Sequence, residues 1–168
     1  ENRRAGGLCH EANRGVNKME KLVNLGYENI HKIRVLWTDT DPAGITFYGN
    51  YFKWMDEASY YLFKSVGIHW EEWNEKWDAL GIPILSAHAD FRLPSMFGDE
   101  LSVVSSVSEW GNSSFPITHR FNKEKELAAE GFEKRVWCKG DPGNPKSFSS
   151  APIPQSIREA LGSKKNLI

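Results

Sequence analysis

The sequence predicts an α+β domain in which a five-stranded antiparallel sheet wraps around one long helix. The helix is indicated by apolar residues that recur at helical spacing: Tyr51, Trp54, Met55, Ala58, Leu62 and Val66. Strands are indicated where apolar and polar residues alternate, in residues 31–37, 85–92, 101–110, 115–121 and 128–138. The four strands after the helix follow one another closely, and neighbours joined by short turns are antiparallel.

Residues 41–51 connect the first predicted strand to the helix. Pro42 favours an extended backbone at Asp41, and Gly44 permits a turn that most residues resist. In an extended segment, Asp39 and Asp41 project from the same side. We therefore expect two carboxylates to lie close together just before the turn.

The predicted helix begins between Tyr48 and Asn50 and ends at Val66–Gly67, where glycine suits the left-handed residue that follows a helix. Its first backbone N–H groups have no partner within the helix. These donors lie at the positive end of the helix dipole and suit a negative charge that develops on an oxygen atom. One short loop thus combines a carboxylate with an oxyanion-binding helix start, an arrangement that favours acyl transfer.

Short helices and turns complete the predicted order. Residues 69–79 are predicted to form one or two helical turns that place three tryptophans in the core or in a pocket wall: Trp70, Trp73 and Trp77. A closing helix is predicted from Pro154 through Leu161. The other connections are predicted as turns or loops at residues 94–98, 111–112, 123–126 and 140–145.

The composition predicts one cytoplasmic domain. A chain of 168 residues with 40% hydrophobic and 26% charged residues has the length and composition of one globular domain. A net charge of −1 gives no reason to expect nucleic acid or a membrane surface as a partner. Two distant cysteines form no disulfide framework, which favours a reducing compartment. Residues 1–28 are predicted to be a polar extension with Met19 as the native start, and residues 29–168 to be the functional domain.

Several kinds of chemistry lack their sequence signatures. The chain has neither the Gly-x-Ser-x-Gly of a nucleophile elbow nor the glycine-rich loops that bind nucleotides. Its histidines and cysteines do not have the spacing of a zinc site, so we expect no metal. His119 lies on the apolar face of its predicted strand and is interpreted as a hydrogen-bonded core residue in preference to a catalyst.

Residues 39–59, Asp-Thr-Asp-Pro-Ala-Gly-Ile-Thr-Phe-Tyr-Gly-Asn-Tyr-Phe-Lys-Trp-Met-Asp-Glu-Ala-Ser, resemble the signature of the 4-hydroxybenzoyl-CoA thioesterase family. The similarity continues in order to about residue 161, through residues 81–86, Phe91, Glu109-Trp110, Ser114-Phe115, His119 and Ile153-Pro154. It implies the hotdog fold, an acyl-CoA substrate and a homodimer or homotetramer. Coenzyme A is then part of the substrate, and no separate cofactor is expected.

The resemblance also implies roles for individual residues. Asp41 matches the family's catalytic aspartate, which acts as nucleophile or general base, and Tyr48 matches the residue whose backbone N–H polarises the thioester carbonyl. Asp56 matches the residue that accepts a hydrogen bond from the ring hydroxyl of 4-hydroxybenzoyl-CoA; a solvated or salt-bridged helix carboxylate is the alternative. Further candidate substrate contacts lie in the first turns of the helix: Gly49, Asn50 and Trp54.

The chain departs from the family pattern after Glu109-Trp110. The aryl-CoA member carries consecutive basic residues there that bind CoA phosphates, whereas this chain has Gly111-Asn112-Ser113-Ser114. Replacement candidates are Lys53, Arg92, Arg120 and Lys123. Two other functions stay open: a short-chain acyl-CoA thioesterase of the Tol-Pal-associated type, and a non-catalytic hotdog module that binds acyl-CoA.

Overall fold

The computed structural model describes residues 26–162. In chain order the strands and α-helices are β1 (Glu28–Arg34), α1 (Gly49–Ser65), α2 (Trp73–Trp77), β2 (Ile84–Phe91), β3 (Glu100–Val107), β4 (Ser114–Lys123), β5 (Glu126–Val136), β6 (Cys138–Asp141), β7 (Asn144–Ser150) and α3 (Gln155–Gly162). Single 3₁₀ turns occur at Trp37–Asp39 and Trp70–Glu72. None of the helices in this range is long and apolar enough to cross a membrane.

The main sheet has five strands in the order β1-β3-β4-β5-β2, and every neighbouring pair is antiparallel. α1 packs against one face of this sheet, so the predicted hotdog architecture is confirmed. The consecutive strands β2 and β3 do not pair, because the chain crosses the sheet between them. Residues 1–25 of the predicted polar extension, including the expected start at Met19, lie outside the described residues.

The core lies between α1 and the sheet. The helix buries the predicted apolar stripe from Tyr51 to Leu62, and β4 buries Phe115, Ile117, His119 and Phe121 on the predicted face. Gly131 on β5 allows a close approach, since a Cβ atom there would lie 2.1 Å from Sδ of Met55. The helix therefore lies directly on the middle of the sheet.

The first strand ends earlier than predicted. β1 stops at Arg34, and Trp37–Asp39 forms a 3₁₀ turn in which Oδ2 of Asp39 accepts the N–H of Leu36 at 2.8 Å. Asp residues offer the backbone such local acceptors, which compete with an extended conformation. The extended backbone predicted through Asp39 is therefore wrong, and the closeness of its carboxylate to that of Asp41 stays a prediction.

The hairpin β6–β7 is absent from the prediction, which placed a loop at 140–145. Asp141 pairs with Asn144, and the flanking residues extend into two strands, with Cys138 paired to Ser150. The sequence Asp-Pro-Gly-Asn at residues 141–144 is a turn signal, but the flanking residues lack apolar alternation. The pattern therefore indicated the turn without its strands.

β2 forms an edge of the sheet and pairs only with β5 among the described strands. Its alternating pattern predicted one buried face, yet Leu85 is 57% and Phe91 is 49% exposed. An edge strand with exposed apolar side chains is a surface on which another chain can pair.

Candidate active site

The loop before α1 closes on itself as the sequence predicts. Thr40 and Thr46 form an isolated antiparallel bridge, and the N–H of Asp41 donates to the carbonyl of Ile45 at 2.9 Å. Gly44 has φ of +78° and donates its N–H to the carbonyl of Asp41 at 2.9 Å. The turn therefore needs a residue without a Cβ at position 44.

Hydrogen bonds fasten this loop to the start of the helix. The carbonyl of Asp39 accepts the N–H of Phe47 at 2.8 Å and Nδ2 of Asn50 at 2.9 Å. Asn50 is buried, and its Oδ1 accepts Nζ of Lys53 at 3.2 Å. Both polar atoms of this predicted substrate contact are thus engaged within the chain, and the amide nitrogen holds the loop against the start of the helix.

The helix begins at Gly49, with Tyr48 at the N-cap position, as predicted. The N–H groups of Asn50 and Tyr51 donate to the carbonyls of Phe47 and Tyr48. No side chain caps the helix, and the N–H groups of Tyr48 and Gly49 have no acceptor within residues 26–162. Two backbone donors at the positive end of a 17-residue helix are therefore available to an oxygen atom.

Asp41 is half-buried at the other end of this loop. Its Oδ1 accepts the N–H of Ala43 at 2.8 Å, which fixes the carboxylate on the turn. The structure thus places Asp41 and Tyr48 in one loop, which is held by hydrogen bonds among its own residues and to the segment before β3. Gly49 adds a tight contact, because a Cβ there would lie 2.6 Å from Cε1 of Phe47.

Large apolar side chains are exposed around this loop, which we call the loop-side apolar surface: Leu36, Trp37, Ile45, Phe47, Tyr48, Met96 and Phe97. Trp37 is 72% exposed and contacts Phe97 edge-on, with ring centroids 5.8 Å apart. Exposed apolar surface of this extent is typical of a binding interface.

Two of the other predicted substrate contacts lie farther along α1. Trp54 is buried in the core and packs against Tyr51, with ring centroids 5.2 Å apart. Asp56 is exposed, and its Oδ1 accepts Nη2 of Arg135 at 2.8 Å. A salt-bridged carboxylate was one of the two interpretations of Asp56, and its predicted contact with a ring hydroxyl stays a prediction.

Beneath Asp56 lies a buried polar network that the sequence analysis missed. Oε2 of Glu133 accepts Oγ of Ser59 at 3.0 Å and Nε of Arg135 at 2.9 Å. Nδ1 of His119 is 2.8 Å from Oγ of Ser105, while its Nε2 is 3.5 Å from Oε2 of Glu133. All these groups except Asp56 are buried. The available signal was the period of two in β5, which places Glu133 and Arg135 on the face that carries Gly131.

Burial and neighbouring charges shift the pKa values of His119 and Glu133. Burial lowers the pKa of His119, and the neighbouring Glu133 carboxylate opposes this effect only in part. Burial acts to raise the pKa of Glu133, but His119 and the charge of Arg135 outweigh it and hold that pKa below its ordinary value. At neutral pH both lowered pKa values favour a neutral imidazole and an ionised carboxylate beside the guanidinium of Arg135.

We expect His119→Gln to weaken the dependence of stability on pH. Below about pH 6.5 the unfolded chain binds a proton on His119 that the folded chain does not, so stability falls as pH falls, by up to about 1.4 kcal/mol per pH unit. Urea unfolding between pH 7.5 and 5.5 measures this slope. His88→Gln, on exposed β2, is the matched control. Equal slopes for the parent and His119→Gln would contradict the prediction.

Three of the four basic residues considered for CoA phosphates form ion pairs: Arg92 with Glu130, Arg120 with Glu28, and Lys123 with Asp99. The fourth, Lys53, contacts Asn50 at the first turn of α1. A cleft of about 290 Å³ at the β3–β4 connection contains a basic residue that the sequence analysis did not consider, Lys134. Residues 26–162 contain no group of three or more side chains able to hold a metal ion.

Comparisons with known proteins agree with this architecture. The family model described as the thioesterase-like superfamily matches residues 35–161. The 4-hydroxybenzoyl-CoA thioesterase of Pseudomonas sp. (strain CBS-3) is 30% identical over 114 residues, which cover 64% of this chain and 81% of that protein. The 1,4-dihydroxy-2-naphthoyl-CoA hydrolase of Trichodesmium erythraeum (strain IMS101) is 31% identical over 130 residues, or 76% of this chain and 90% of that protein.

A solved structure of a gentisyl-coenzyme A thioesterase is 36% identical, with a TM-score of 0.68, and covers 80% of this chain and 100% of that chain. The match of the family model includes the loop with Asp41, the whole of α1 and four of the five strands of the main sheet, β2 to β5. The chain therefore belongs to the thioesterase-like superfamily and is a thioester hydrolase with the hotdog fold.

Proposed function

We propose that this acyl-CoA thioesterase hydrolyses aromatic acyl-CoA esters whose ring carries a hydroxyl group, such as 4-hydroxybenzoyl-CoA. The observation that carries the proposal is the loop that joins the Asp41 carboxylate to the uncapped start of α1. The names of the three similar proteins support the choice of substrate, since each includes a hydroxylated aromatic acyl group.

In the proposed reaction, the thioester carbonyl oxygen accepts a hydrogen bond from the backbone N–H of Tyr48. Asp41 then either attacks the acyl carbon, forming an anhydride that water hydrolyses, or removes a proton from a water molecule that attacks it. Both routes release the CoA thiolate and the free acid. Negative charge develops on the carbonyl oxygen in both, and a backbone donor at that position typically contributes about 2.7–4 kcal/mol.

We expect Tyr48→Phe to retain most of the activity, because the proposed donor is the backbone N–H and the phenol is exposed at the helix start. Steady-state kcat and KM with 4-hydroxybenzoyl-CoA test this. A loss of a hundredfold or more in a folded variant would assign the role to the hydroxyl group instead.

A panel of acyl-CoA esters, followed by trapping of the released thiol, tests the proposed function. We expect hydrolysis of 4-hydroxybenzoyl-CoA and 1,4-dihydroxy-2-naphthoyl-CoA to be faster than that of acetyl-CoA or butyryl-CoA. Preference for the short esters would support the short-chain alternative, and binding without turnover would support the non-catalytic module. Either result would overturn the proposal.

The proposal includes a homodimer or homotetramer in the cytoplasm. The unpaired edge of β2 and the loop-side apolar surface support assembly, because a second copy would cover exposed apolar side chains in both places. Light scattering coupled to size-exclusion chromatography measures the mass in solution. A monomer at micromolar concentration would contradict this part of the proposal.

A further inference from the structure

The buried guanidinium group of Arg135 forms hydrogen bonds within the core and one hydrogen bond to a residue at the surface of α1. Its Nε donates to Oε2 of Glu133 at 2.9 Å, and its Nη2 is 2.7 Å from the same oxygen. Its Nη1 donates to the carbonyl of Ile82 at 3.3 Å. The remaining contact joins Nη2 to Oδ1 of Asp56 at 2.8 Å. The sheet thus offers a fixed donor to a carboxylate on α1.

The three charged side chains in this arrangement differ in solvent exposure. The side chain of Arg135 is 3% exposed and that of Glu133 is 1% exposed, whereas 58% of Asp56 is exposed. A buried ion pair contributes little net stability, since the penalty for removing two charges from water offsets their attraction, and apolar residues of similar volume often replace it without loss. Stability alone therefore does not account for Glu133 and Arg135, and the contact of Arg135 with Asp56 indicates a different role for the pair.

The charges leave Asp56 able to accept a further hydrogen bond. Glu133 compensates the positive charge of Arg135, and the carboxylate of Asp56 then gives the three groups a net charge of −1. A carboxylate has about four acceptor positions, and the contact with Arg135 occupies one of them. The guanidinium of Arg135 is planar and is anchored by Glu133 and by the carbonyl of Ile82. Its hydrogen bond from Nη2 therefore fixes the orientation of the exposed Asp56 carboxylate.

We propose that Arg135, anchored by Glu133, is a positioning residue that fixes the Asp56 carboxylate as the acceptor for a hydroxyl group on the aromatic ring of the substrate. This inference rests on the proposed function. Arg135 does not touch the reacting atoms, and it acts on specificity through Asp56. Its removal therefore changes the choice between hydroxylated and unhydroxylated substrates more than it changes turnover of the unhydroxylated ester.

The test compares kcat/KM for benzoyl-CoA with that for its 2-, 3- and 4-hydroxy derivatives in the parent and in variants. The parent is expected to prefer at least one hydroxylated ester. Asp56→Asn and Arg135→Lys are each expected to reduce that preference about 10- to 100-fold, the effect typical of losing a hydrogen bond to a charged group. The double variant is expected to lose no more than Asp56→Asn alone, because both changes remove the same interaction.

Glu57→Gln is the matched control, since Glu57 is the next carboxylate on α1 and contacts His31 instead. It is expected to keep the parental preference. The double variant Glu133→Leu/Arg135→Met removes both buried charges together and is expected to fold. It is a second variant in which Asp56 lacks the hydrogen bond from Arg135. Loss of preference there, with benzoyl-CoA hydrolysis retained, supports the inference.

A parental preference that persists in folded Arg135→Lys and in the Leu/Met variant overturns the positioning role. A parent that hydrolyses all four esters equally well overturns it too, while the proposed thioesterase activity stands. A parent that hydrolyses none of the aromatic esters overturns the proposed function itself.

Discussion

Asp41→Asn is expected to lower kcat for aromatic acyl-CoA esters by orders of magnitude while the fold is retained. The amide has nearly the same shape as the carboxylate, and its oxygen can still accept the N–H of Ala43, so the turn keeps its conformation. An amide neither attacks an acyl carbon effectively nor removes a proton from water. The loss therefore isolates the chemistry of residue 41 from its structural role.

Release of the CoA thiol measures the activity, and thermal unfolding measures the fold. Asp39→Asn is the matched control. Asp39 lies two residues before Asp41, and its carboxylate also accepts a backbone N–H, that of Leu36. It is expected to keep activity within a few fold of the parent. If Asp41→Asn turned over substrate at the parental rate, the mechanism proposed above would have to be abandoned.

The parts of the fold that follow from local pattern were predictable from the sequence. The stripe from Tyr51 to Leu62 has a period that only a helix satisfies over several turns, and Gly67 ends that helix with φ of +81°. The buried face of β4 follows from alternation in the same way. In each case one periodic signal coincides with one buried surface, so local and tertiary preferences agree.

The parts that depend on distant contacts were not predictable in this way. The exposure of β2 follows from its place at the edge of the sheet, which its alternating residues do not encode. Likewise, Glu133 and Arg135 read as ordinary charged residues of a strand until the packing of α1 encloses them. Periodicity indicates which residues share a face of a strand, but whether that face is buried depends on packing against distant parts of the chain.

The candidate site shows the same division. The loop from Asp41 to Asn50 could be located from its proline, its glycine and the helical pattern that follows, because these act within the segment. The engagement of Asn50 by the carbonyl of Asp39 and by Lys53 could not, since side-chain hydrogen bonds leave no periodic signal. The sequence therefore located the loop but not the internal role of Asn50.

Glu133→Leu is expected to destabilise the protein by about 3–5 kcal/mol, because it leaves the buried guanidinium of Arg135 without its principal counter-charge. Ser59 also loses its hydrogen-bond partner, which leaves a buried hydroxyl unsatisfied. A loss of this size is a large part of the roughly 5–15 kcal/mol by which typical domains are stable. Urea unfolding at neutral pH gives the difference in free energy.

Adding Arg135→Met to Glu133→Leu is expected to recover most of that loss, since the double variant contains no unpaired buried charge and replaces the pair with side chains of similar volume. The cycle of parent, two single variants and double variant separates the interaction between the two residues from the effect of removing each one. Additive losses would contradict this expectation, because they would mean that the two buried charges do not depend on each other. Strong coupling would instead show that Glu133 is kept mainly to hold Arg135, which is the condition under which the guanidinium can serve as a fixed donor to Asp56.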